Sequence, residues 1–564
     1  MELKKRFSFL SYAVNGAGVG HVVRQLAVQR WLRRLCAVCG VKSEHWFLTT
    51  SEADALVFRE GGAAFKLPSK SIVEDAGVDK LAYIALAKQW VWHSLSTLRP
   101  DVLLTDTFAE GSFGELPAAL DLVRHTVLVQ RPLNERFAQR PGYAALVRSY
   151  DRVIVPEHED DEPDLRAALY GDDDGAHDDG RLRFVGPILR PERRALLPRE
   201  AARAALGVAP GDRCVLVTGG GGGDDGIDAL FDAVAALEHE GVHVVYGAGP
   251  LFRGRPRRGA RRTFFVDHDL AEHAAAFDVA VTAAGFNTIH ELLHFGVPLV
   301  VVPQEKIADD QAARAARYEA RGALRTATVA TVAVAVRALL ADDDTRAALA
   351  QGATRAVPEG HGRDAALATL ELLLPPSVSL ALRRWCDDGV VDLVLDRAVG
   401  LSPAAEAASV RDVFALAAAL AGHDDRAGLT SDDVRRANAL VRETGSAPEV
   451  LSALCEQLRR KLMVTDAAVA LRRLAKAAAG ETNGLLEVLR ALQPERHVDA
   501  SKVIDAIEVT AGRLVLRGEG FVQLAARLRA ARAPTARAVS HAGSANAARL
   551  LSAFDGSSHA GRPV

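Results

Sequence analysis

Ala283-Ala284-Gly285-Phe286-Asn287-Thr288-Ile289-His290-Glu291-Leu292-Leu293-His294-Phe295-Gly296-Val297-Pro298-Leu299-Val300-Val301-Val302-Pro303 is the stretch that decides how this chain is read. A turn of small residues opens a helix at Asn287 or Thr288 and places Glu291 in its first turn. Gly296 ends the helix, and Leu299–Val302 follows as a strand buried on both faces. Amides at a helix start have no partner inside the helix and sit at the positive end of its dipole. Gly285, Asn287 and Thr288 can therefore hold a diphosphate. The Glu291 carboxylate can accept hydrogen bonds from both hydroxyls of a ribose. The plainer alternative is a carboxylate that only offsets the helix dipole. Beyond the strand, Gln304, Asp309, Asp310 and Gln311 are polar groups suited to the hydroxyls of a sugar.

The same unit of buried strand, glycine turn and helix occurs twice more. Val215-Leu216-Val217-Thr218 runs into five glycines, Gly219, Gly220, Gly221, Gly222 and Gly223. Such a loop has no side chains to block a phosphate and can aim several amides at it. No Gly-Lys-Ser/Thr follows, which excludes the P-loop of an ATPase. Near the start, Phe7–Val14 leads into Gly16, Gly18 and Gly20 and then His21. The acidic ribose contact and third glycine of a dinucleotide fingerprint are missing. A neutral His21 at the mouth of a cleft can take the proton of a sugar hydroxyl; the alternative is a histidine that only caps its helix. Asp106 follows the strand Val102–Leu104. Parallel strands bring their C-terminal ends to one edge, so Asp106 can approach His21 and stabilise its protonated form. A carboxylate that merely starts the next helix is the competing reading.

At 564 residues the chain is too long for one core. Strand-length apolar runs recur at Phe7–Val14, Val102–Leu104, Thr126–Val129, Val153–Val155, Cys214–Val217, Val242–Tyr246, Val279–Val281 and Leu299–Val302. Their alternation with helical patterns predicts an α/β architecture of two parallel-sheet halves, residues 1–187 and 188–375. The proline-marked segment Gly186–Pro191 joins them, and a helix at 199–206 leads into the second. An acidic stretch, Glu157–Asp164 and then 172–180, lacks calcium-loop spacing and reads as a solvated loop. From 376 to 545 the pattern is helical, predicting an all-α domain with helices at 404–421, 430–443, 447–462, 464–479, 483–492, 500–511 and 519–533. Thr430-Ser431-Asp432-Asp433 starts one of them with a capping side chain, and residues 546–564 read as a frayed tail.

A formal net charge of -3 argues against a nucleic-acid-coating protein. Five scattered cysteines make no disulfide framework, and Cys36-x-x-Cys39 lacks the two further ligands that a zinc site needs. No apolar run reaches bilayer length, and Lys4-Lys5-Arg6 with Phe7–Val14 has no cleavage pattern after it, so a cytoplasmic location is expected. Arg30-Trp31-Leu32-Arg33-Arg34-Leu35 is a candidate contact with the inner face of an anionic membrane, set against a solvated face with a packed Trp31.

These segments resemble the two-domain glycosyltransferases of the B-type (GT-B) fold. The nearest resemblance is to family 28, which includes the peptidoglycan N-acetylglucosaminyltransferase, and to a group of bacterial predicted glycosyltransferases. It rests on Gly18-x-Gly20-His21-x-x-Arg24, Asp101–Phe108, Gly219–Gly223, Ala284-Gly285-Phe286-Asn287-Thr288-x-x-Glu291 and Asp310-Gln311, and spans residues 7–375. The resemblance implies two facing Rossmann-like halves, with the acceptor on the first and a nucleotide-sugar donor, a UDP-sugar, on the second. It implies His21 as base, Glu291 on the ribose, Gly285, Asn287 and Thr288 on the diphosphate, and Asp310 and Gln311 on the donor sugar. It further implies no bound metal or cofactor, with helix-end amides stabilising the leaving diphosphate. The acceptor is an alcohol carried by a small molecule, a glycan or a lipid. Phe286 stands where the family has a small residue. Two other readings remain: a nucleotide-sugar hydrolase sharing the Gly-x-Gly-His-x-x-Arg turn, and a non-catalytic sensor acting on a protein partner through the helical tail.

Overall fold

A computed structural model describes residues 4–472 apart from 15–17, 133–139, 171–179, 222–225, 253, 258, 268, 306–308, 424–425, 446, 450, 453 and 457–466. The helices expected at 483–492, 500–511 and 519–533 and the tail 546–564 lie outside the described residues. By packing, the chain divides into two compact units, Met1–Arg411 and Asp412–Val564.

The first unit holds two all-parallel sheets. One contains β1 (Arg6–Ala13), β2 (Lys42–Thr49), β3 (Ala63–Lys66), β4 (Val102–Asp106), β5 (His125–Val129), β6 (Arg152–Val155) and β7 (Leu182–Phe184), in the order β3-β2-β1-β4-β5-β6-β7. The other contains β8 (Arg213–Thr218), β9 (Val242–Gly247), β10 (Arg262–Phe265), β11 (Val279–Thr282), β12 (Leu299–Val301) and β13 (Arg325–Thr326), in the order β10-β9-β8-β11-β12-β13. All eight apolar runs named above are strands. Their unbroken hydrophobicity has its cause in burial on both faces: every residue of β4 and β11 is buried. In each sheet the strand order reverses beside the first strand, between β1 and β4 and between β8 and β11. Such a switch point opens a crevice at the C-terminal strand ends, where ligands bind.

The helices that matter for the crevices are α1 (Gly20–Val38), α2 (Lys80–Leu98), α3 (Phe286–His294), α4 (Gln311–Ala320) and α5 (Gly362–Leu370). Helix α2 shows ordinary one-sided burial, with Tyr83, Ala87, Val91 and Leu95 repeating every four residues against the core. Helix α1 differs: nearly all its residues are buried, because the first sheet covers one side and α5 the other. Gly362 lets α5 approach, since a Cβ there would lie 3.0 Å from the Trp31 ring and 3.2 Å from the Ala27 carbonyl.

This packing corrects the expected lipid contact at Arg30–Leu35. Trp31 and Arg34 are buried. Arg34 donates to Glu406 at 2.7 and 2.8 Å and also pairs with Glu192, while Arg30 donates to Glu60 at 2.6 Å. The segment is interior, not membrane-facing. The acidic stretch at 157–164, read from sequence as a solvated loop, is exposed at 158–160 and 163–164 but anchored at two positions. Glu157 is buried and accepts from Arg317 on α4 at 3.1 Å, and Asp161 pairs with Arg321. Burial pushes the Glu157 carboxyl up to about 7, with Arg317 and Arg314 opposing. Cys36 and Cys39 are buried, and burial raises the Cys36 thiol well above its ordinary value.

The helical region expected from residue 376 begins inside the first unit. Helices Pro376–Asp387 and Val390–Leu395 pack there through fully buried Trp385 and through Arg194, which donates to Asp396 at 2.9 Å. The described regular structure of the second unit is helical. Its helix Ser431–Thr444 starts on a capping box between Thr430 and Asp433. Among the described residues, no helix is long and apolar enough to cross a membrane.

Candidate active site

The first crevice brings His21 and Asp106 together across 85 positions of sequence. His21 lies at the start of α1 and Asp106 at the end of β4, the two elements beside the switch point. His21 Nδ1 donates to Asp106 Oδ1 at 2.5 Å. Arg24, one helical turn after His21, grips the same carboxylate with Nε on Oδ2 at 2.9 Å and Nη2 on Oδ1 at 2.7 Å. Thr107 adds its hydroxyl at 2.8 Å. Burial alone would raise the Asp106 carboxyl; Arg24 and His21 outweigh it and hold it well below the usual carboxylate range. Burial lowers the His21 imidazole, Asp106 opposes, and the cations Arg24 and Arg131 add to the lowering. His21 is thus neutral at neutral pH. Its partner is an ionised, acceptor-only carboxylate, so Nδ1 carries the proton and Nε2 the lone pair. Thr107 is held in the left-handed region at φ 64°, unfavourable for a β-branched residue, so backbone strain is stored next to Asp106.

The second crevice is built from backbone. Helix α3 begins at Phe286, with Gly285 as its N-cap, no capping side chain and no acidic residue in its first turn. A Cβ at Gly285 would meet nothing within 4 Å. The earlier start corrects the sequence reading of Glu291, which lies in the second turn and not the first. Glu291 is half-buried as a residue, and burial pushes its carboxyl up to about 7, with Arg190 pulling it down. Gly220, at φ 84°, lies against α3: a Cβ there would sit 2.7 Å from Thr288 Oγ1. A Cβ at Gly219 would meet Ile227 at 2.9 Å, and one at Gly221 would meet Val19 of the first half at 2.8 Å. Gly222 and Gly223 lie outside the described residues, as do Gly16 and Ala17; the Gly18 carbonyl accepts from Ser51 Oγ at 3.5 Å.

The two crevices meet at Asn287. Its amide donates to the Gly20 carbonyl at 2.9 Å and accepts from Arg24 Nη1 at 3.2 Å. Phe286 lies between two guanidiniums, with Arg24 5.3 Å and Arg314 5.1 Å from its ring centroid. Its neighbour His290 is a satisfied core histidine, bonded to the Phe286 carbonyl at 2.7 Å and to the Tyr318 hydroxyl at 2.8 Å. Arg131, just after β5, pairs across the crevice with Asp309 at 3.2 Å, and Arg314 pairs with the same carboxylate at 2.6 Å. Gln311 is buried and its Oε1 accepts from the Gln304 backbone N–H at 3.0 Å, while exposed Asp310 caps α4 by accepting from the Ala313 backbone N–H at 2.9 Å.

Sequence reading missed four residues here as parts of the site: Arg131, Arg190, Arg314 and the strained Thr107. Arg131 follows a buried parallel strand and so had to reach the ligand-binding edge, which was the available signal. The arrangement puts a neutral imidazole and its carboxylate beside an uncapped helix start, among several buried cations. It can remove a proton from an alcohol and stabilise a departing diphosphate.

Residues 214–354 match the glycosyltransferase family 28 C-terminal domain. The UDP-N-acetylglucosamine–N-acetylmuramyl-(pentapeptide) pyrophosphoryl-undecaprenol N-acetylglucosamine transferase of Symbiobacterium thermophilum is 27% identical over 374 residues, 61% of this chain and 92% of its own. Its counterpart from a Nocardioides species is 31% identical over 211 residues, 34% of this chain and 57% of its own, so that alignment spans little more than half of the relative. The crystal structure of MurG from Acinetobacter baumannii superposes with a TM-score of 0.41 at 19% identity, over 66% of this chain and 99% of its own. With two all-parallel sheets and a match to the family 28 C-terminal domain over residues 214–354, the chain is similar to the family 28 enzymes and is a nucleotide-sugar glycosyltransferase.

Proposed function

We propose that this site moves a hexosyl group from a UDP-sugar to an acceptor hydroxyl without a bound metal. The observation that carries the reading is the junction at Asn287, which joins the His21–Asp106 pair through Arg24 to the uncapped start of α3. His21 Nε2 takes the acceptor's hydroxyl proton as that oxygen bonds to the anomeric carbon. The bond from the anomeric carbon to the diphosphate breaks, and its electron pair leaves with the nucleoside diphosphate. Amides at the start of α3, from Phe286 to Thr288, stabilise the charge that grows on the leaving group, the part a metal plays elsewhere. Glu291 holds the ribose, the Gly219–Gly221 loop lies along the phosphates, and Gln304, Asp310 and Gln311 hold the donor hexose. The activity for which the two relatives are named supports N-acetylglucosamine as the sugar and a lipid-linked acceptor. The same histidine can activate water, which is the hydrolase alternative; turnover that no alcohol stimulates would select it.

The test is a thermal-shift series with UDP, GDP, TDP and their sugar conjugates, with Glu291→Ala as control. Ligand at a hundredfold excess over its Kd adds about 2.7 kcal/mol of stability. Uridine nucleotides should raise the melting temperature of the wild type and leave Glu291→Ala unmoved. A folded protein that no nucleotide stabilises would overturn the reading.

A further inference from the structure

We propose that Arg24 is a positioning residue that ties the base to the donor helix, holding the Asp106 carboxylate against His21 and Asn287 against the first half, and so governs when His21 can accept a proton. The inference rests on His21 being the base. Its geometric ground is that one buried guanidinium spends three nitrogens on both crevices. Nε and Nη2 hold Asp106, Nη1 holds the Asn287 side-chain oxygen, and the guanidinium carbon lies 5.3 Å from the centroid of Phe286, the first residue of α3. Arg24 is 2% exposed, so no solvent screens these interactions.

The charge arrangement gives the contact a purpose. The groups around His21 are Asp106 from β4, Arg24 from its own helix, Arg131 from the segment after β5, and the Phe108 ring at 5.5 Å. An isolated carboxylate at hydrogen-bond distance would raise the proton affinity of a buried imidazole and leave it charged, useless as a base, near neutral pH. Burial opposes that pull first and the Arg24 cation adds to the opposition, while the hydrogen bond that orients the ring stays in place. The orienting and the charging effects of Asp106 are thus separated, and the separation depends on a cation that also touches the helix where the donor phosphates bind.

Ring-labelled histidine NMR of the full chain reads this directly without substrate, with His21→Gln assigning the signal. In wild type His21 should titrate below the ordinary value of 6.5 and show the Nδ1–H tautomer. Arg24→Met should move the midpoint upward by about one pH unit, a tenfold gain in proton affinity, while Arg24→Lys should hold it near wild type. Arg24→Gln, which keeps an amide donor to Asp106, replaces Arg24→Met if the latter does not fold. The acid limb of turnover, with UDP-N-acetylglucosamine as probe, should shift upward in parallel. An unmoved or lowered midpoint in a folded neutral variant would overturn the proposal. So would loss of the fold in both neutral variants, which would assign Arg24 to stability alone. If His21→Gln keeps full turnover, the base assignment falls instead, while the midpoint shift in Arg24→Met still tests the coupling.

Discussion

In the first half, the loop after β1 delivers His21 and the end of β4 delivers Asp106; in the second, the loop after β8 delivers Gly220 and the end of β11 leads to Gly285. The two sheets share one strand order, so these are equivalent positions of the same switch point. One crevice is furnished with titratable side chains held by Arg24 and strained at Thr107. The other presents mainly backbone, with open space at Gly285, an uncapped helix start and Glu291 one turn further on. The contrast fits the roles proposed for the two crevices. Proton transfer needs a group whose pKa can be set by its neighbours, whereas a leaving diphosphate needs fixed donors with nothing in the way.

The comparison breaks most severely at His21. Replacing it with Ala should cut transfer about 10²- to 10⁴-fold in steady-state assays, with the nucleotide thermal shift unchanged. Transfer that survives would remove the chemistry from the first half. The glycine positions give a smaller effect and a sharper contrast. Gly220→Ala puts a Cβ 2.7 Å from Thr288 at φ 84°, and should cost about 1–3 kcal/mol in denaturant melts. Gly285→Ala meets nothing within 4 Å, so the fold should hold while calorimetry reports weaker nucleotide binding. Equal stability losses in both would show that the second crevice is tight throughout and not open at the helix start.

The smallest effect is in the pH dependence of Glu291. Its folded pKa of about 7 lies above the ordinary 4.5, so the folded state holds the proton more tightly than the unfolded chain. The stability linked to that proton is fully present below pH 4.5 and is lost as pH rises through 7. Glu291→Gln should abolish this decline in melts taken across the window. Nucleotide affinity of the wild type should rise by a few-fold across the same window, because two ribose hydroxyls are better accepted by a carboxylate than by an acid. A flat profile in wild type would mean that Glu291 is already ionised and solvated.

Legibility in the sequence follows burial. The strands that could be read are the continuous apolar runs at the sheet centres. Strands β2, β3, β7, β10 and β13 were not read, four of them short and at or next to sheet edges. β2 is inside its sheet, but it opens with Lys42-Ser43-Glu44, whose positions are exposed or half-buried. The convergence of His21 and Asp106 was legible because both follow parallel strands. The arginines were not, because an arginine in sequence looks like surface until its partner is known, and Arg24 finds Asp106 at a separation of 82 residues.

By itself the sequence determined that two parallel sheets form and where their glycine turns fall, because these depend on local patterns of hydrophobicity and backbone freedom. Only the tertiary structure decided that Arg24 joins the two crevices, that Arg30–Leu35 is interior and that Glu157 is buried against α4. Each of these turns on which charge lies opposite which. Charge pairing in a low-dielectric interior depends on distance in space, and a linear pattern does not carry that distance.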